Sequence, residues 1–374
     1  MKLDQDRWIC VGPPEIGTRV HTFAFLPGKS GELIAGTRPD GFYKINVNNK
    51  LWQMIDVDCQ FTLGIGPNQH SIAISPHDHS LIFLGIEEHG IMRSTDAGSN
   101  WLYANTGLRG KQAYSLNGIC FCFHPQDKRL IFYGSDGGIY RSSDSGQTWV
   151  HLLQGIPSLR FNPRVGRRYP YDATSVFQLG THPAFPDRVY AGFYVAPPEA
   201  AAGMYVSNDA GESWQPCSGG LPEGKFPDRN DHKGVLDFAI SDTDPEVIFA
   251  GVRRGLFMTR DGGNSWRRCA PFQTGVWAVC LHPGNTSTVF AGLEDGSVHV
   301  LNDFATTWRD ISQGLPVDVR AERVTFQFRN YDGTTEERTD YRWRSIVLKL
   351  GINPEMPDEL YAATPFGLFK RRIG

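Results

Sequence analysis

"STDAGSNW" at residues 94–101 is the stretch that decides the fold, because the chain repeats it. Close copies follow as "SSDSGQTW" at 142–149, "SNDAGESW" at 207–214 and "TRDGGNSW" at 259–266, with a fainter copy, "LNDFATTW", at 301–308. The tryptophans that end the copies are mostly 42 to 52 residues apart. Repetition at such a period indicates a fold built from similar structural units.

Four short apolar strands accompany each copy. The first ends near a proline ("ICFCFHP", 119–125), the second ends at a glycine ("LIFYG", 130–134) and the third begins at a glycine ("GIYRS", 138–142). The tryptophan of the octapeptide opens the fourth strand. Four short strands in every unit of about 40–50 residues are typical of a β-propeller blade.

Two further units lack the octapeptide. Residues 19–56 contain three similar strands and Trp52 in the tryptophan position, and residues 344–371 contain three strands without a fourth. The missing strand is "RWICV" at 7–11, with Trp8 in the tryptophan position. We therefore expect an all-β protein, a single domain over 1–374, folded as a seven-bladed propeller of four-stranded antiparallel blades. The N-terminal strand completes the last blade and so removes an exposed sheet edge.

The octapeptides resemble the BNR repeat, or Asp-box, Ser/Thr-x-Asp-x-Gly-x-x-Trp, of the sialidase, xyloglucanase and sortilin-like propellers and of photosystem assembly factors. In such a turn Asp accepts backbone amide hydrogens, Gly tolerates positive φ and Trp packs between sheets. The resemblance implies that the boxes are architectural and lie away from any active site. It implies no single function, because these families include both hydrolases and assembly factors. The lack of the sialidase Arg-Ile-Pro motif, and seven blades instead of six, argue against a sialidase.

Composition excludes several partners. A net charge of −3 supplies no basic field for nucleic acid, and no apolar run approaches the length of a membrane span. The N-terminal residues lack the apolar core of a secretory signal. Seven cysteines without a CxxC pair favour reduced thiols. These observations predict a cytoplasmic protein with no membrane or nucleic-acid partner, and no motif indicates a cofactor.

Long connections lie on the face opposite the octapeptide turns. They are residues 153–173, 218–234 and 312–343, together with the insertion "YVAPPEAAAG" at 194–203. Connections of this length in a compact repeat protein are usually functional or disordered, so they either wall a pocket or are solvated decoration. The alternation around "NYDG" at 330–333 predicts a projecting hairpin.

The first strands of the seven units align on the proline-containing turn. One inward-facing position then carries, in order, Thr22, Ser71, Cys120, Gln178, Asp237, Ala278 and Lys349. Small or polar residues at this position, next to bulky ones that pack between blades, are expected to line an axial channel. Asp237 and Lys349 share this ring. They either form a hydrated ion pair or make Asp237 an acid of perturbed pKa at the floor of a pocket.

The predicted site combines these loops with the channel. The candidate catalytic acids are Asp237, Asp172 and Asp231, and paired carboxylates would suit glycoside cleavage. The candidate ligand-binding residues are Arg253, Arg254, Arg342, Arg344, Lys349, Gln178, Tyr171 and His232. The arginines could clamp a carboxylate or phosphate, or be rim charges. Further acids on suitable loops, most of them expected to be solvated, are Glu87, Glu88, Glu294 and Asp295.

Histidines leave a metal site as an open alternative. His21, His70, His89 and His232 fall on the same face, but no HxH or HxxxH spacing joins them, and packing between blades is the competing interpretation. No metal is therefore predicted. Three other histidines, His124, His182 and His282, occupy the turns after the first strands and are predicted to be structural.

Two classes of function remain. The first is a propeller with a pocket over the channel that binds a polar or anionic small molecule or a glycan, with glycosidase-like hydrolysis or a lyase-like reaction as its catalytic form. The second is a non-catalytic scaffold that uses the same face to hold a protein partner, as the photosystem assembly factors do. Tyrosine and arginine in the long loops suit a ligand pocket and a protein interface alike.

Overall fold

The computed structural model forms seven four-stranded antiparallel sheets and one two-stranded sheet. It describes residues 7–12, 19–38, 41–57, 71–86, 89–108, 118–135, 137–152, 154–156, 175–195, 202–222, 234–270, 272–302, 307–329 and 335–373. Each sheet is one blade, and the blades follow one another along the chain. The prediction of a seven-bladed all-β propeller is confirmed.

The first four blades contain sixteen strands. Blade 1 comprises β2 (Arg19–Phe25), β3 (Glu32–Arg38), β4 (Gly41–Asn46) and β5 (Leu51–Met54). Blade 2 comprises β6 (Ser71–Ile74), β7 (Ile82–Ile86), β8 (Gly90–Ser94) and β9 (Leu102–Tyr103). Blade 3 comprises β10 (Gly118–Phe123), β11 (Ile131–Ser135), β12 (Gly138–Ser142) and β13 (Val150–Leu152). Blade 4 comprises β14 (Ser175–His182), β15 (Phe185–Val195), β16 (Gly203–Ser207) and β17 (Gln215–Pro216).

The remaining blades follow the same order until the last. Blade 5 comprises β18 (Val235–Ile240), β19 (Ile248–Val252), β20 (Gly255–Thr259) and β21 (Arg267–Arg268). Blade 6 comprises β22 (Val276–His282), β23 (Asn285–Leu293), β24 (Val298–Leu301) and β25 (Arg309–Asp310). The predicted hairpin follows as β26 (Arg320–Arg329) and β27 (Thr335–Arg344). Blade 7 comprises β28 (Lys349–Asn353), β29 (Met356–Thr364), β30 (Gly367–Arg372) and, from the N-terminus, β1 (Ile9–Gly12).

The first strand of every blade lies at the inside of the ring. Consecutive first strands contact one another from β2 through β22 to β28, and β28 contacts β2, so the ring closes. Antiparallel pairing within each blade then defines two faces. We call the face with the octapeptide turns and the first-to-second-strand turns the turn face. The face with the second-to-third-strand turns and the connections between blades is the mouth face.

The N-terminal strand closes the ring as predicted. Ile9 pairs with Lys370 and Cys10 with Phe369 in the antiparallel register of β1 and β30. Trp8 is buried, and its indole Nε1 donates to the Ile311 carbonyl of blade 6 at 2.7 Å. The Trp149 indole makes the equivalent contact with the preceding blade. Trp8 therefore fills the same slot as the tryptophans of the repeats.

The octapeptides fold into one recurring turn. In blade 3, Asp144 accepts backbone N–H groups from Gln147 and Thr148 at 3.0 and 2.9 Å, and the Gly146 N–H donates to the Ser142 hydroxyl at 2.8 Å. Gly146 has φ 79°, which glycine adopts without a side-chain clash. The turns of blades 2, 4 and 5 repeat this pattern. The regular sequence thus supports a regular architecture.

A glycine in the second strand lets neighbouring blades approach closely. A Cβ added at Gly192 would lie 2.9 Å from a Val235 methyl of the next blade, and one added at Gly134 would lie 2.8 Å from Val176. The aromatic and aliphatic residues between the blades form separate clusters that repeat around the ring. The hydrophobic effect of these clusters holds the blades together.

The described cysteines are free thiols, and most are buried or partly buried. Burial raises the pKa of Cys217 to about 12 and that of Cys122 to about 11, so these thiols stay protonated. They act as small apolar residues in the core. Within the described ranges no helix is long and apolar enough to cross a membrane.

Candidate functional site

The inward-facing position predicted from the sequence is structurally equivalent in all seven blades. Each of its residues pairs with the corresponding small residue of the second strand, such as Asp237 with Gly251 and Lys349 with Ala363. In five first strands, β2, β10, β14, β18 and β22, a β-bulge directly precedes this position. A bulge re-aims the side chains beside it and is common next to functional sites.

Asp237 is held on the wall of the channel by backbone groups. Its Oδ2 accepts the Val279 N–H of blade 6 at 2.8 Å, and its Oδ1 accepts the Phe238 N–H at 2.9 Å. Burial raises the pKa of Asp237 to about 7, although the Val279 N–H, Lys349 and Gln178 each act to lower it. The side chain keeps partial solvent exposure while lying deep in the protein, as expected for a group that lines a channel. Asp237 therefore exchanges a proton near neutral pH.

Lys349 lies on the same ring, one blade beyond Val279. Its Nζ is 3.3 Å from the Thr22 hydroxyl and 5.6 Å from the centroid of the Phe23 ring in blade 1. Burial lowers the pKa of Lys349, and the Asp237 carboxylate acts through space in the opposite direction. The two groups thus stabilise each other's charge while each contacts its own neighbouring blade.

A second cluster lies on the mouth face, where a glutamate lies between two arginines. Oε1 of Glu294, in the turn after β23, accepts from Nη2 of Arg344 at the end of β27. The same oxygen lies 3.8 Å from Nη1 of Arg253, in the turn after β19. Only 18% of the Glu294 side chain is exposed, against 53% for Arg344. The cluster joins blades 5 and 6 to the hairpin.

Aromatic side chains support this ion cluster. Arg253 Nε donates to the Tyr194 hydroxyl at 3.0 Å, and the guanidinium carbon lies 5.3 Å from the Tyr194 ring centroid and 5.6 Å from that of Trp277. The Trp277 indole Nε1 is buried and has no hydrogen-bond partner among the described residues. A Cβ added at Gly275 would lie 3.1 Å from this nitrogen and 3.0 Å from Glu294 Oε2. We call Tyr194, Arg253, Trp277, Glu294 and Arg344 the mouth cluster.

The predicted site residues divide into four groups. In the channel, Asp237 is hydrogen-bonded to Gln178 and interacts through space with Lys349. Arg253 and Arg344 meet at Glu294 in the mouth cluster. Arg254 is exposed beside Arg253, and for Arg342 only the position in β27 is described. Four predicted site residues lie outside the described residues: Tyr171, Asp172, Asp231 and His232. His70, Glu87 and Glu88 lie outside them as well.

The histidines were predicted either to be structural or to belong to a metal site. His124 Nδ1 accepts the Asp127 N–H at 2.9 Å, and His182 and His282 make comparable contacts within their turns, so these three are structural as predicted. His21 occupies the bulge of β2 and His89 the turn after β7. Among the described residues, no group of three or more His, Cys, Asp or Glu side chains could hold a metal ion.

Sequence reasoning missed Tyr194 and Trp277 and treated Glu294 as one of several acids on turns. One signal could have indicated Trp277, because it is one of two tryptophans outside the tryptophan positions of the repeat, the other being Trp343. Tyr194 and Glu294 carry no such signal, since their importance arises from contacts between blades. Asp295 is held within its own turn by Ser297.

No protein-family model matches the sequence, and no curated protein matches it. Solved structures are similar in fold. YCF48 from Cyanidioschyzon merolae has a TM-score of 0.61 and 13% identity, with 98% of each chain covered. A structure of YCF48 bound to D1 peptide has a TM-score of 0.59 and 12% identity, with 100% of this chain and 96% of that chain covered.

A glycoside hydrolase is also similar. The GH74 xyloglucanase from Xanthomonas campestris has a TM-score of 0.54 and 16% identity, and the similarity covers 95% of this chain and 65% of the xyloglucanase. Identities this low show the propeller fold alone, and a propeller fold supports both catalysis and assembly functions.

Proposed function

We propose that this protein is a binding propeller that holds a carboxylate-bearing segment of a partner protein on its mouth face. The proposal rests on the ion pairs that Arg253 and Arg344 form with the Glu294 carboxylate. Arginine presents several N–H donors in a rigid plane that matches a carboxylate, and such charge-assisted bonds are the strong ones. The mouth cluster is therefore built to recognise a carboxylate.

Glu294 acts in this proposal as an internal occupant of the arginine site. A partner carboxylate would take its place on Arg344, whose side chain is half exposed and accessible from the mouth. The Trp277 N–H, which is buried without a partner among the described residues, offers a further donor to an acceptor that enters beside Gly275. Such an acceptor would remove the cost of leaving this donor unpaired.

The composition of the cluster favours a polypeptide as the partner. Tyrosine, tryptophan and arginine are the residues most enriched at the energetic centres of protein interfaces. The YCF48 structure bound to D1 peptide supports the proposal, because it shows that a propeller of similar fold binds a peptide. We propose Arg254, Arg342, Tyr171 and His232 as additional contacts of the same partner. A polar or anionic small molecule would use the same donors.

Peptide binding tests the proposal. The probe is a fluorescent ten-residue glutamate-rich peptide with a free C-terminus, compared with its glutamine-rich analogue. We expect Arg253→Ala to weaken binding of the acidic peptide about tenfold, since one charge-assisted contact is lost. Arg129→Ala is the matched control, because Arg129 is an exposed arginine on the turn face. Equal binding of both peptides, or equal loss in both variants, would refute the proposal.

Glycoside hydrolysis is a second candidate, favoured by Asp237. A carboxyl group with a pKa of about 7 can donate a proton at neutral pH, as the acid of a glycosidase must. We propose Asp172 and Asp231 as its partner carboxylates. Incubation with xyloglucan oligosaccharides should then release reducing sugar, and Asp237→Asn should abolish the release. Absence of release by the wild-type protein across a panel of glycans would leave binding as the function.

We also infer that the octapeptide turns are BNR repeats and that residues 1–374 act as one unit. The Ser/Thr-Asp-Gly-Trp pattern and its recurring hydrogen bonds support the first inference. The closed ring of blades supports the second. The free, protonated thiols suit a reducing compartment such as the cytoplasm. Limited proteolysis tests the single unit, which should resist cleavage between blades.

A further inference from the structure

The turn between β23 and β24 holds Glu294 beside the start of β22. The Glu294 N–H donates to the Gly275 carbonyl at 2.9 Å, and the Gly296 N–H donates to the Leu293 carbonyl at 3.1 Å. Gly275 directly precedes β22, and Trp277 is the second residue of that strand. These hydrogen bonds fix the backbone around Glu294, so its side chain is the part of the turn that can change position.

The Glu294 carboxylate has one oxygen on the arginines and one that faces Gly275. Oε1 contacts Arg253 and Arg344, whereas Oε2 accepts no hydrogen bond from the described residues. A Cβ added at Gly275 would lie 3.0 Å from this Oε2 and 3.1 Å from the buried Trp277 Nε1. Two atoms at these distances from one point are at most about 6 Å apart, so a rotation that moves Oε2 by about 3 Å forms a hydrogen bond.

Such a hydrogen bond would offset the cost of moving Glu294 off the arginines. The Glu294 side chain is only 18% exposed, and a largely buried charge that loses its partners is strongly destabilising. The Trp277 N–H, which has no partner among the described residues, carries a cost of its own. One contact between the two groups removes both costs.

We infer that Glu294 is a two-position gate of the mouth cluster. It lies on Arg253 and Arg344 in the free protein, and it turns to the Trp277 N–H when a partner carboxylate binds the arginines. The acceptor that enters beside Gly275 is then the second oxygen of Glu294. This inference rests on the function proposed above and adds how the site is regulated, since a neutral segment cannot displace Glu294 and leaves the arginines covered.

The Trp277 indole N–H reports the position of the gate without any peptide. In Arg253→Ala/Arg344→Ala the Glu294 carboxylate has lost both arginines, so we expect it to lie on Trp277. The indole proton, assigned with Trp277→Phe in a nitrogen–proton correlation spectrum, should then lie downfield of its position in the triple variant that also carries Glu294→Ala. An identical position in the two variants would overturn the gate.

Affinity for the glutamate-rich peptide tests the gate in the intact site. Trp277→Phe keeps an aromatic ring but removes the N–H that receives the displaced Glu294, so binding should weaken about tenfold. In a Glu294→Ala background no carboxylate has to be displaced, and Trp277→Phe should then leave the affinity unchanged. An equal loss in both backgrounds would overturn the gate, because Trp277 would then act on the peptide itself.

A glycine variant blocks the movement without removing a charge or a donor. Gly275→Ala should also weaken binding about tenfold, because its Cβ crowds both Glu294 Oε2 and Trp277 Nε1. Gly275 does not have a positive φ, so alanine does not strain the backbone. Gly284→Ala on the turn face is the matched control and should bind like the wild type, since its Cβ comes no closer than 3.5 Å to His282. Full affinity in Gly275→Ala would contradict the gate.

The gate and the proposed function fail separately. A wild type that does not bind the peptide, together with the downfield indole signal, would refute the function proposed above and support the two positions of Glu294. A wild type that binds the peptide, together with an indole signal that does not depend on Glu294, would refute the gate alone.

Discussion

The two faces of the ring use the same residue types for different purposes. On the turn face, Asp144 accepts amide hydrogens of its own turn, and the arrangement repeats from blade to blade. On the mouth face, Arg253, Glu294 and Arg344 come from three separate connections and form a cluster of which no copy is described in another blade. Repeated contacts build the propeller, whereas the contacts that occur once are where we propose that a partner binds.

The aspartates show this difference most clearly. Hydrogen bonds from Asn100 and Ser94 lower the pKa of Asp96 to about 2, so this turn carboxylate stays ionised above strongly acidic pH. Burial in the channel raises the pKa of Asp237 to about 7. The same side chain is thus a fixed acceptor on the turn face and a titrating group in the channel.

The largest effect should come from a turn-face tryptophan. Trp149 is 2% exposed, and its indole donates to the Ala104 carbonyl of blade 2. Trp149→Ala should lower the free energy of unfolding by about 3–5 kcal/mol, because it empties the space between two sheets. Trp101→Ala is the control and should cost less, since the partly exposed Trp101 donates within its own turn. Equal losses in a urea titration would contradict the inter-blade role of Trp149.

A smaller effect, confined to a pH range, should come from Asp237. Its pKa is about 7 in the folded protein and near 3.8 when unfolded, so the native state binds more protons between these values. Its contribution to stability is therefore present below pH 4 and is lost as the pH rises to about 7. Over this pH range the free energy of unfolding of the wild type should fall by about 2 kcal/mol because of Asp237, and Asp237→Asn should remove this fall. The value is smaller than the difference between the two pKa values alone would give, because solvent in the channel screens the charge.

Urea titrations from pH 4 to pH 8 measure this difference. The pKa values of the turn aspartates are lowered, so their contribution is lost only below pH 4 and does not overlap with that of Asp237. The lowered pKa of His299 changes the stability of the wild type and of Asp237→Asn equally, so its effect cancels in the comparison. Parallel stability curves for wild type and variant would show that Asp237 does not titrate in this range.

The smallest effect should come from backbone strain in the repeated turn. Ala97 adopts φ 58°, and the equivalent residue in blade 5 is a glycine, Gly262, with φ 66°. Ala97→Gly should raise the free energy of unfolding by about 0.5 kcal/mol, because relief of the left-handed conformation slightly exceeds the entropy lost on ordering glycine. Thermal denaturation measures the change. A clear loss of stability would show that the turn tolerates alanine without strain.

The sequence predicts the regular part of the molecule well. Each blade carries its own turn, strand and tryptophan signals, and even the closing strand is marked by Trp8 in register. The mouth cluster could be predicted only in part. Arg253 and Arg344 were candidates, but their meeting with Tyr194 and Glu294 was not predictable, because Tyr194, Arg253 and Glu294 are up to 100 residues apart and come together only after three blades have packed. The aligned first strands did predict that Asp237 and Lys349 share a ring, since that ring follows from the repeat itself.

Substitution of Glu294 by glutamine tests the central claim most directly. If Glu294 is an internal occupant of the arginine site, Glu294→Gln leaves Arg253 and Arg344 with an unopposed charge for an incoming carboxylate. Titration with the glutamate-rich peptide should then show binding about fivefold tighter than to the wild type, on the scale of a modest charge interaction. Binding that is unchanged or weaker in Glu294→Gln would contradict the assignment of the mouth cluster as a carboxylate-binding site.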